Sequence, residues 1–309
     1  MISRTEIQNA GRRIAKHVGR TPVMALEEKA FGIDAKIFLK LECLQHTGSF
    51  KPRGAFNCIL SSKIGGAGVI AASGGNHGAA VAYAAHHLGH HAEIFVPTIT
   101  PTNKVDRLKH YGAAITITGN SYSEALAASH ERAAQTGAVS IHAYDDARVL
   151  AGQGTLGMEF EEQVRGLDSV LIAVGGGGLI GGVAAWYQER VRVISVEPER
   201  APTLHQALAA GKVVDVDTGG VAADSLGARR VGELMFPIAQ KFIAQALLVR
   251  DEQIIEAQRT LWRHLRLIAE PGGATALAAL LSGAYKPHPG ERVGVVLCGS
   301  NAELSSFPV

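Results

Sequence analysis

Apolar residues in this chain come as short runs separated by stretches where they recur at helical spacing, and the two patterns alternate. Ser3-Arg4-Thr5-Glu6 has the form of a capping box and predicts a helix running to about residue 17. Two short strand patterns follow, over 22–26 and 35–41. From there the alternation is regular. It predicts a strand over 69–72, a helix over 76–88 with Asn76 as N-cap and Gly89 as stop, and a strand over 92–96. A helix over 102–111 stopped by Gly112, a strand over 114–118, a helix over 121–135 and a strand over 139–143 complete the first series. Ser121 and Glu124 form a second capping box, and Gly137 stops that helix. The second series has a helix over 149–164, then a strand over 170–174 that leads through a glycine loop into a helix ending near 188. A strand over 191–196, a long helix over 251–268 with Asp251 as N-cap, and a strand over 292–297 finish the pattern.

Strands alternating with helices of this length predict βαβ units and parallel sheets. The expected fold class is α/β, with two doubly wound open-sheet domains. The smaller spans 53–145, and the larger combines 1–52 with 146–309. Ligands in such folds sit in a crevice at the C-terminal ends of strands.

Composition narrows the function. The 309 residues are 47% hydrophobic and 19% charged, with 36 glycines and few aromatics, as suits an α/β enzyme whose turns bring backbone close to ligands. A net charge of +2 and the lack of a Lys/Arg stripe argue against nucleic acid. The N-terminus lacks the form of a signal peptide, and no apolar run is long enough to cross a bilayer. Cys43, Cys58 and Cys298 lie far apart, giving neither a disulfide framework nor a zinc pattern, and the expected compartment is the reducing cytoplasm. The pairs His86-His87 and His90-His91 have no i, i+4 carboxylate and read as surface residues, so no metal site is expected from them.

Gly175-Gly176-Gly177-Gly178-Leu179-Ile180-Gly181-Gly182 follows a strand and opens a helix, where backbone amides and the helix dipole make an anion site. The plain alternative is a tight turn, for which four glycines in a row are more than is needed. The loop alone does not identify the phosphate. Gly176, Gly178 and Gly181 match a dinucleotide fingerprint, and Glu197 falls where that fingerprint wants its ribose carboxylate. An NAD-dependent oxidoreductase or a nucleotide-binding module is therefore the rival reading.

Two further segments bear on the choice. In Ser49-Phe50-Lys51-Pro52-Arg53-Gly54-Ala55 a lysine sits among apolar neighbours, which lowers an amine's proton affinity and suits a Schiff base; the alternative is a solvated surface charge. In Ser73-Gly74-Gly75-Asn76-His77-Gly78, between strand and helix, a hydroxyl, an amide and backbone donors converge as a nest for a carboxylate, or else form one more turn.

Taken in order, Ser49–Ala55, Ser73–His77, the tetraglycine loop and a Cys298-Gly299-Ser300-Asn301 tail resemble the fold type II family of pyridoxal 5'-phosphate (PLP) enzymes, in its serine/threonine dehydratase branch. Gly152-Gln153-Gly154-Thr155 and Glu270-Pro271 are similar to that group as well. The resemblance covers nearly the whole chain. It implies a PLP-dependent ammonia-lyase converting L-threonine or L-serine to a 2-oxo acid, and a homodimer. It further implies that Lys51 carries the cofactor and shuttles the Cα proton, and that Phe50 packs beside the ring. Asn76 would bond the phenolic oxygen, Gly175, Gly176, Gly177, Gly178 and Leu179 the phosphate, and Cys298 would face the pyridine nitrogen. Ser73, Gly74, Asn76 and His77 would hold the substrate carboxylate. A lone cysteine ending a strand is ordinarily a small buried hydrophobe. As a neutral partner it would leave the ring nitrogen unprotonated, favouring elimination.

The chain departs from the related serine racemases at several positions. Gly74 stands where they carry a serine that reprotonates Cα, so racemisation is expected to be minor. Glu197 and Ala201 align with their metal position but Thr203 replaces the aspartate, which argues against a divalent site and leaves room for a monovalent cation. Ala228 replaces a substrate-side serine. Arg229 and Arg230 are either surface charges or, turned inward, a sign of a second anionic group, as in 3-hydroxyaspartate; phenylserine is another alternative substrate. The chain stops soon after the Cys298 strand, so the regulatory domain of biosynthetic threonine deaminases is not expected.

Overall fold

A computed structural model of the chain describes residues 1–303 and 307–308. In chain order the elements begin with α1 (Arg4–Ile14), β1 (Val23–Ala25), β2 (Lys36–Lys40), α2 (Lys51–Leu60), β3 (Val69–Ala72) and α3 (Asn76–His87). β4 (Ala92–Val96), α4 (Thr102–His110), β5 (Ala114–Ile117), α5 (Tyr122–Thr136), β6 (Val139–Ser140) and α6 (Ala147–Gln163) follow. The remainder is β7 (Ser169–Ala173), α7 (Gly178–Tyr187), β8 (Arg192–Pro198), α8 (Thr203–Ala210), α9 (Ala223–Leu226), α10 (Phe236–Phe242), β9 (Ile243–Val249), α11 (Asp251–Thr260), α12 (Pro271–Leu281) and β10 (Arg292–Val296).

The strands form two sheets, one ordered β1-β2-β10-β7-β8-β9 and one ordered β5-β4-β3-β6. The four-stranded sheet is wholly parallel. The six-stranded sheet is parallel except for β1, which pairs antiparallel with β2. Their interior strands are buried on both faces, which explains near-continuous apolar runs such as Val69–Ala72 and Ser169–Ala173. The core around the larger sheet includes Phe160, Ile172, Val183, Ile194, Leu277 and Val295; the core around the smaller includes Phe56, Val81, Ile94 and Leu108.

The local signals act as expected at α1, where Ser3 Oγ accepts from Glu6 N at 3.2 Å and Glu6 accepts from Ser3 N at 2.7 Å. At α5 only half of the box forms. Ser121 accepts from Glu124 N at 3.3 Å, but the Glu124 carboxylate turns to Asn120 N. Two expected caps are corrected. Gly75, not Asn76, is the cap of α3, because the Asn76 side chain is drawn away to Glu270 and Asn301. Arg250 precedes α11, and Asp251 is its first residue, with its carboxylate reaching Val221 N instead. That helix also stops short of 268: residues 261–265 form a π-turn, and Arg266 adopts a left-handed conformation.

Three of the four chemically suggestive segments directly follow strands. Ser73–Asn76 leaves β3, Gly175–Gly178 leaves β7, and Cys298 lies just beyond β10. Ser49 bridges to Gly299, and Phe50 N donates to the Cys298 carbonyl at 3.2 Å, which brings the start of α2 to the same strand ends.

Candidate active site

Lys51 is the first residue of α2, and Pro52 sits at the helix start where its missing N–H does no harm. The Lys51 side chain is half-buried, and its amine donates to the Ala143 carbonyl at 3.0 Å. Burial lowers its pKa to about 8, against the opposing pull of Cys298 and Glu270. The Phe50 ring centroid lies 5.2 Å from that amine. Cys298 is buried, and its thiol donates to the Gly272 carbonyl at 3.5 Å. Burial raises its pKa well above the ordinary thiol range, so it stays neutral.

The loop after β3 is organised by Ser73, whose hydroxyl accepts from Gly75 N at 3.2 Å. A Cβ at Gly74 would lie 2.8 Å from Thr100 Cγ2, so a larger residue there requires Thr100 to shift. Asn76 donates through Nδ2 to Glu270 Oε1 at 2.7 Å and accepts from Asn301 Nδ2 at 2.6 Å. Glu270 is buried, and burial raises its pKa to about 7 although the Asn76 bond opposes the rise. His77 is buried with Nε2 2.9 Å from the Ile141 carbonyl. Burial, with Lys51 nearby, lowers its pKa to about 3, so the ring is neutral. A carbonyl only accepts, so Nε2 carries the proton. The imidazole proton is thus committed, and what His77 offers an incoming anion is its backbone amide in the first turn of α3.

The glycine loop enters α7 through Gly177 at φ +87°, a left-handed conformation. A Cβ at Gly176 would fall 2.3 Å from Cδ1 of Tyr144, whose ring lies against the loop and whose hydroxyl donates to the Arg230 carbonyl at 3.1 Å. The first amides of α7 have no partner within the helix.

Other expected positions fall outside this constellation. Both Glu197 oxygens are taken by α8, accepting from Leu204 N and His205 N at 2.7 Å each, and Thr203 Oγ1 donates to the Ala228 carbonyl. Arg229 and Arg230 are exposed and pair outward, Arg229 with Asp217 at 3.2 Å and Arg230 with Glu233 at 2.8 Å. His86, His87 and His91 are exposed, and among the described residues no His, Cys, Asp or Glu group comes together as a metal site. Two adjoining cavities of about 180 and 410 Å³ are both lined by Lys104, Asp224, Glu270 and Asn301. Neither is lined by Lys51 or the glycine loop. Glu270, Asn301 and Tyr144 are the residues that motif reading left without a role. Glu270-Pro271 and the Cys298–Asn301 tail were the available signals, whereas nothing local marks Tyr144.

Two open sheets with a lysine, an asparagine loop and a glycine loop at their strand ends define the fold type II class. Comparison with known proteins agrees. Residues 14–299 match the family described as pyridoxal-phosphate dependent enzyme. The chain is 37% identical to an L-threonine ammonia-lyase of Geobacter sulfurreducens, over all of this chain and 78% of that protein. It is 34% identical to a beta-hydroxyaspartate dehydratase of Paracoccus denitrificans, over 97% of this chain and 96% of that one. The solved structure of maize serine racemase superposes with a TM-score of 0.93 at 35% identity, over 98% of this chain and 95% of that one. The chain belongs to the pyridoxal-phosphate dependent enzyme family. The dinucleotide reading is thereby set aside, and its Glu197 serves a helix terminus instead.

The residues fit the family's cofactor. Lys51 is an amine of lowered basicity, Cys298 a neutral thiol, and four glycines in a row, Gly175 to Gly178, lead into α7. Ser49 Oγ, buried two residues before Lys51, has no hydrogen-bond partner among the described residues.

Proposed function

We propose that this chain is a PLP-dependent ammonia-lyase that converts L-threonine, L-serine or both to a 2-oxo acid and ammonia by α,β-elimination. The observation that carries the reading is the half-buried Lys51 amine with a pKa near 8, held at the strand ends beside Cys298 and Glu270. When bound, the cofactor supplies an aldehyde that condenses with amines and an electron sink for the charge left at Cα. Lys51 holds it, and Lys51 Nζ then removes the Cα proton. Gly175, Gly176, Gly177, Gly178 and Leu179 would hold its phosphate with the amides that open α7, Phe50 would flank its ring, and Asn76 would have its second amide hydrogen free for it. Cys298, a neutral thiol, would face the ring nitrogen without protonating it. Ser73 and the amides around Gly74, Asn76 and His77 orient the substrate carboxylate. Cα–H and Cβ–O break, the proton that Lys51 Nζ takes from Cα matching the one the leaving hydroxyl needs to depart as water, and that water returns when the enamine product hydrolyses to the 2-oxo acid and ammonia. Gly74 offers no acid on the opposite face of Cα, so racemisation is minor.

The test is 2-oxo acid formation from threonine, serine and 3-hydroxyaspartate by the wild type and by Lys51→Ala. Turnover by the wild type and none by the variant is expected; full turnover by Lys51→Ala refutes the assignment.

A second substrate, 3-hydroxyaspartate, is favoured by the Paracoccus relative. Its extra carboxylate would face Lys104 and Arg107, which line the cavity beside Asn76, and not Arg229 or Arg230. In the same reading the chain divides into 1–52 with 146–309 and 53–145, works in the cytoplasm and assembles as a homodimer, to be checked by light scattering. No helix is long and apolar enough to cross a membrane. A monovalent cation near Glu197 would share that carboxylate with the amides of α8.

A further inference from the structure

Four charged side chains lie in the interior next to the start of α2: Lys40 and Glu42 at 0% exposure, Arg53 at 1% and Glu159 at 8%. Lys40 ends β2, Glu42 follows in the next turn, Arg53 sits in the first turn of α2, and Glu159 is on α6. Arg53 grips Glu42 with two prongs, Nε to Oε1 at 2.8 Å and Nη2 to Oε2 at 3.0 Å. It also reaches Glu159 at 3.0 Å and Thr155 at 3.3 Å. Lys40 donates to Glu159 at 2.5 Å and to the Thr21 carbonyl at 2.7 Å. Two positive and two negative charges therefore balance inside the protein.

Buried ion pairs are poor stabilisers, since apolar replacements of similar shape often do as well. A forked guanidinium does supply what apolar packing does not, a fixed orientation. Arg53 lies two residues after Lys51, so their side chains leave α2 roughly 200° apart around its axis. Arg53 anchors the helix on one side, and Lys51 reaches out on the other. The anchorage has little slack, because a Cβ at Gly152 of α6 would lie 2.5 Å from the Arg53 carbonyl oxygen.

We propose that Arg53 is a positioning residue: its fork onto Glu42 and Glu159 fixes the roll of α2 and thereby where the Lys51 amine sits. The proposal rests on Lys51 as the cofactor lysine. Its test is Arg53→Lys, which keeps the buried charge and loses the fork. Three quantities are read. They are the melting temperature, kcat against KM, and the pH profile of PLP capture by cofactor-free protein, trapped with borohydride and located by peptide mass. The expected result is a melting temperature within about 5 °C of wild type, kcat lower by about tenfold or more with KM little changed, and a capture profile whose midpoint moves by roughly half a pH unit. Wild-type kcat and an unmoved profile in a folded variant overturn the proposal and leave the network purely structural. If Arg53→Lys fails to fold, Glu42→Gln, which keeps the shape and breaks one prong, is read by the same criteria. Wild-type protein that captures nothing on Lys51 refutes the lysine reading itself, a result distinct from normal wild-type capture with an unaffected variant.

Discussion

The side-chain amide of Asn76 donates to Glu270 Oε1 at 2.7 Å, joining the first residue of α3 to the residue that precedes α12. The bond links the two sheets at the strand ends and sets which way Asn76 presents its remaining hydrogen.

Glu270 holds its proton up to about pH 7 in the folded protein, against an ordinary value of 4.5. The folded state therefore binds more protons than the unfolded chain between those values, and the Glu270 contribution to stability falls as pH rises through that window. Glu270→Gln keeps a carbonyl for Asn76 and does not titrate. Urea unfolding of both proteins from about pH 5 to about pH 8 should show a steeper decline for wild type. Parallel curves would mean that Glu270 is ionised throughout.

Gly176→Ala places a methyl group 2.3 Å from the Tyr144 ring, which must move. Cofactor affinity should drop by about tenfold, and adding Tyr144→Ala should restore part of it, the coupling expected of residues in direct contact. Equal affinities for the single and double variants would show that the collision does not govern the loop.

Arg229→Ala and Arg230→Ala remove exposed charges whose partners are Asp217, Asp215 and Glu233. Exposed, solvent-screened pairs of this kind contribute little, and turnover of threonine and of 3-hydroxyaspartate should stay within about twofold, as for surface sites remote from the reaction. Selective loss of 3-hydroxyaspartate turnover would place one of these arginines at the substrate after all.

Much of this architecture was legible in the sequence because parallel strands buried on both faces write continuous apolar runs, and glycines end helices where the backbone turns left-handed. Other elements left no such trace. α12 is buried almost all round and has no polar face to give it a period. β9 is an edge strand with a half-exposed, irregular pattern. α2 begins among Pro52 and Gly54, which are poor helix formers, yet Arg53 inside it is clamped by Glu42 and Glu159 from distant parts of the chain. Motifs singled out Lys51, Asn76 and the glycine loop, which the fold places at strand ends. They did not reveal that Glu270 and Asn301 hold Asn76, a pairing that exists only once the two sheets meet, nor that His77 spends its imidazole proton on Ile141, which comes near only once β3 and β6 pair.

Lys51 loses its proton near pH 8 rather than at the ordinary lysine value of 10.5. PLP capture by cofactor-free protein should accordingly accelerate as pH rises and level off above about pH 8, since only the neutral amine attacks an aldehyde. A rate still climbing toward pH 10 would show an unperturbed lysine.

The most direct measurement is the near-UV and visible spectrum of the purified protein, before and after borohydride, followed by peptide mass. A yellow protein that bleaches, with the added mass on the peptide that contains Lys51, is the predicted result. A protein that stays colourless with added PLP, or that carries the mass on another lysine, contradicts the account.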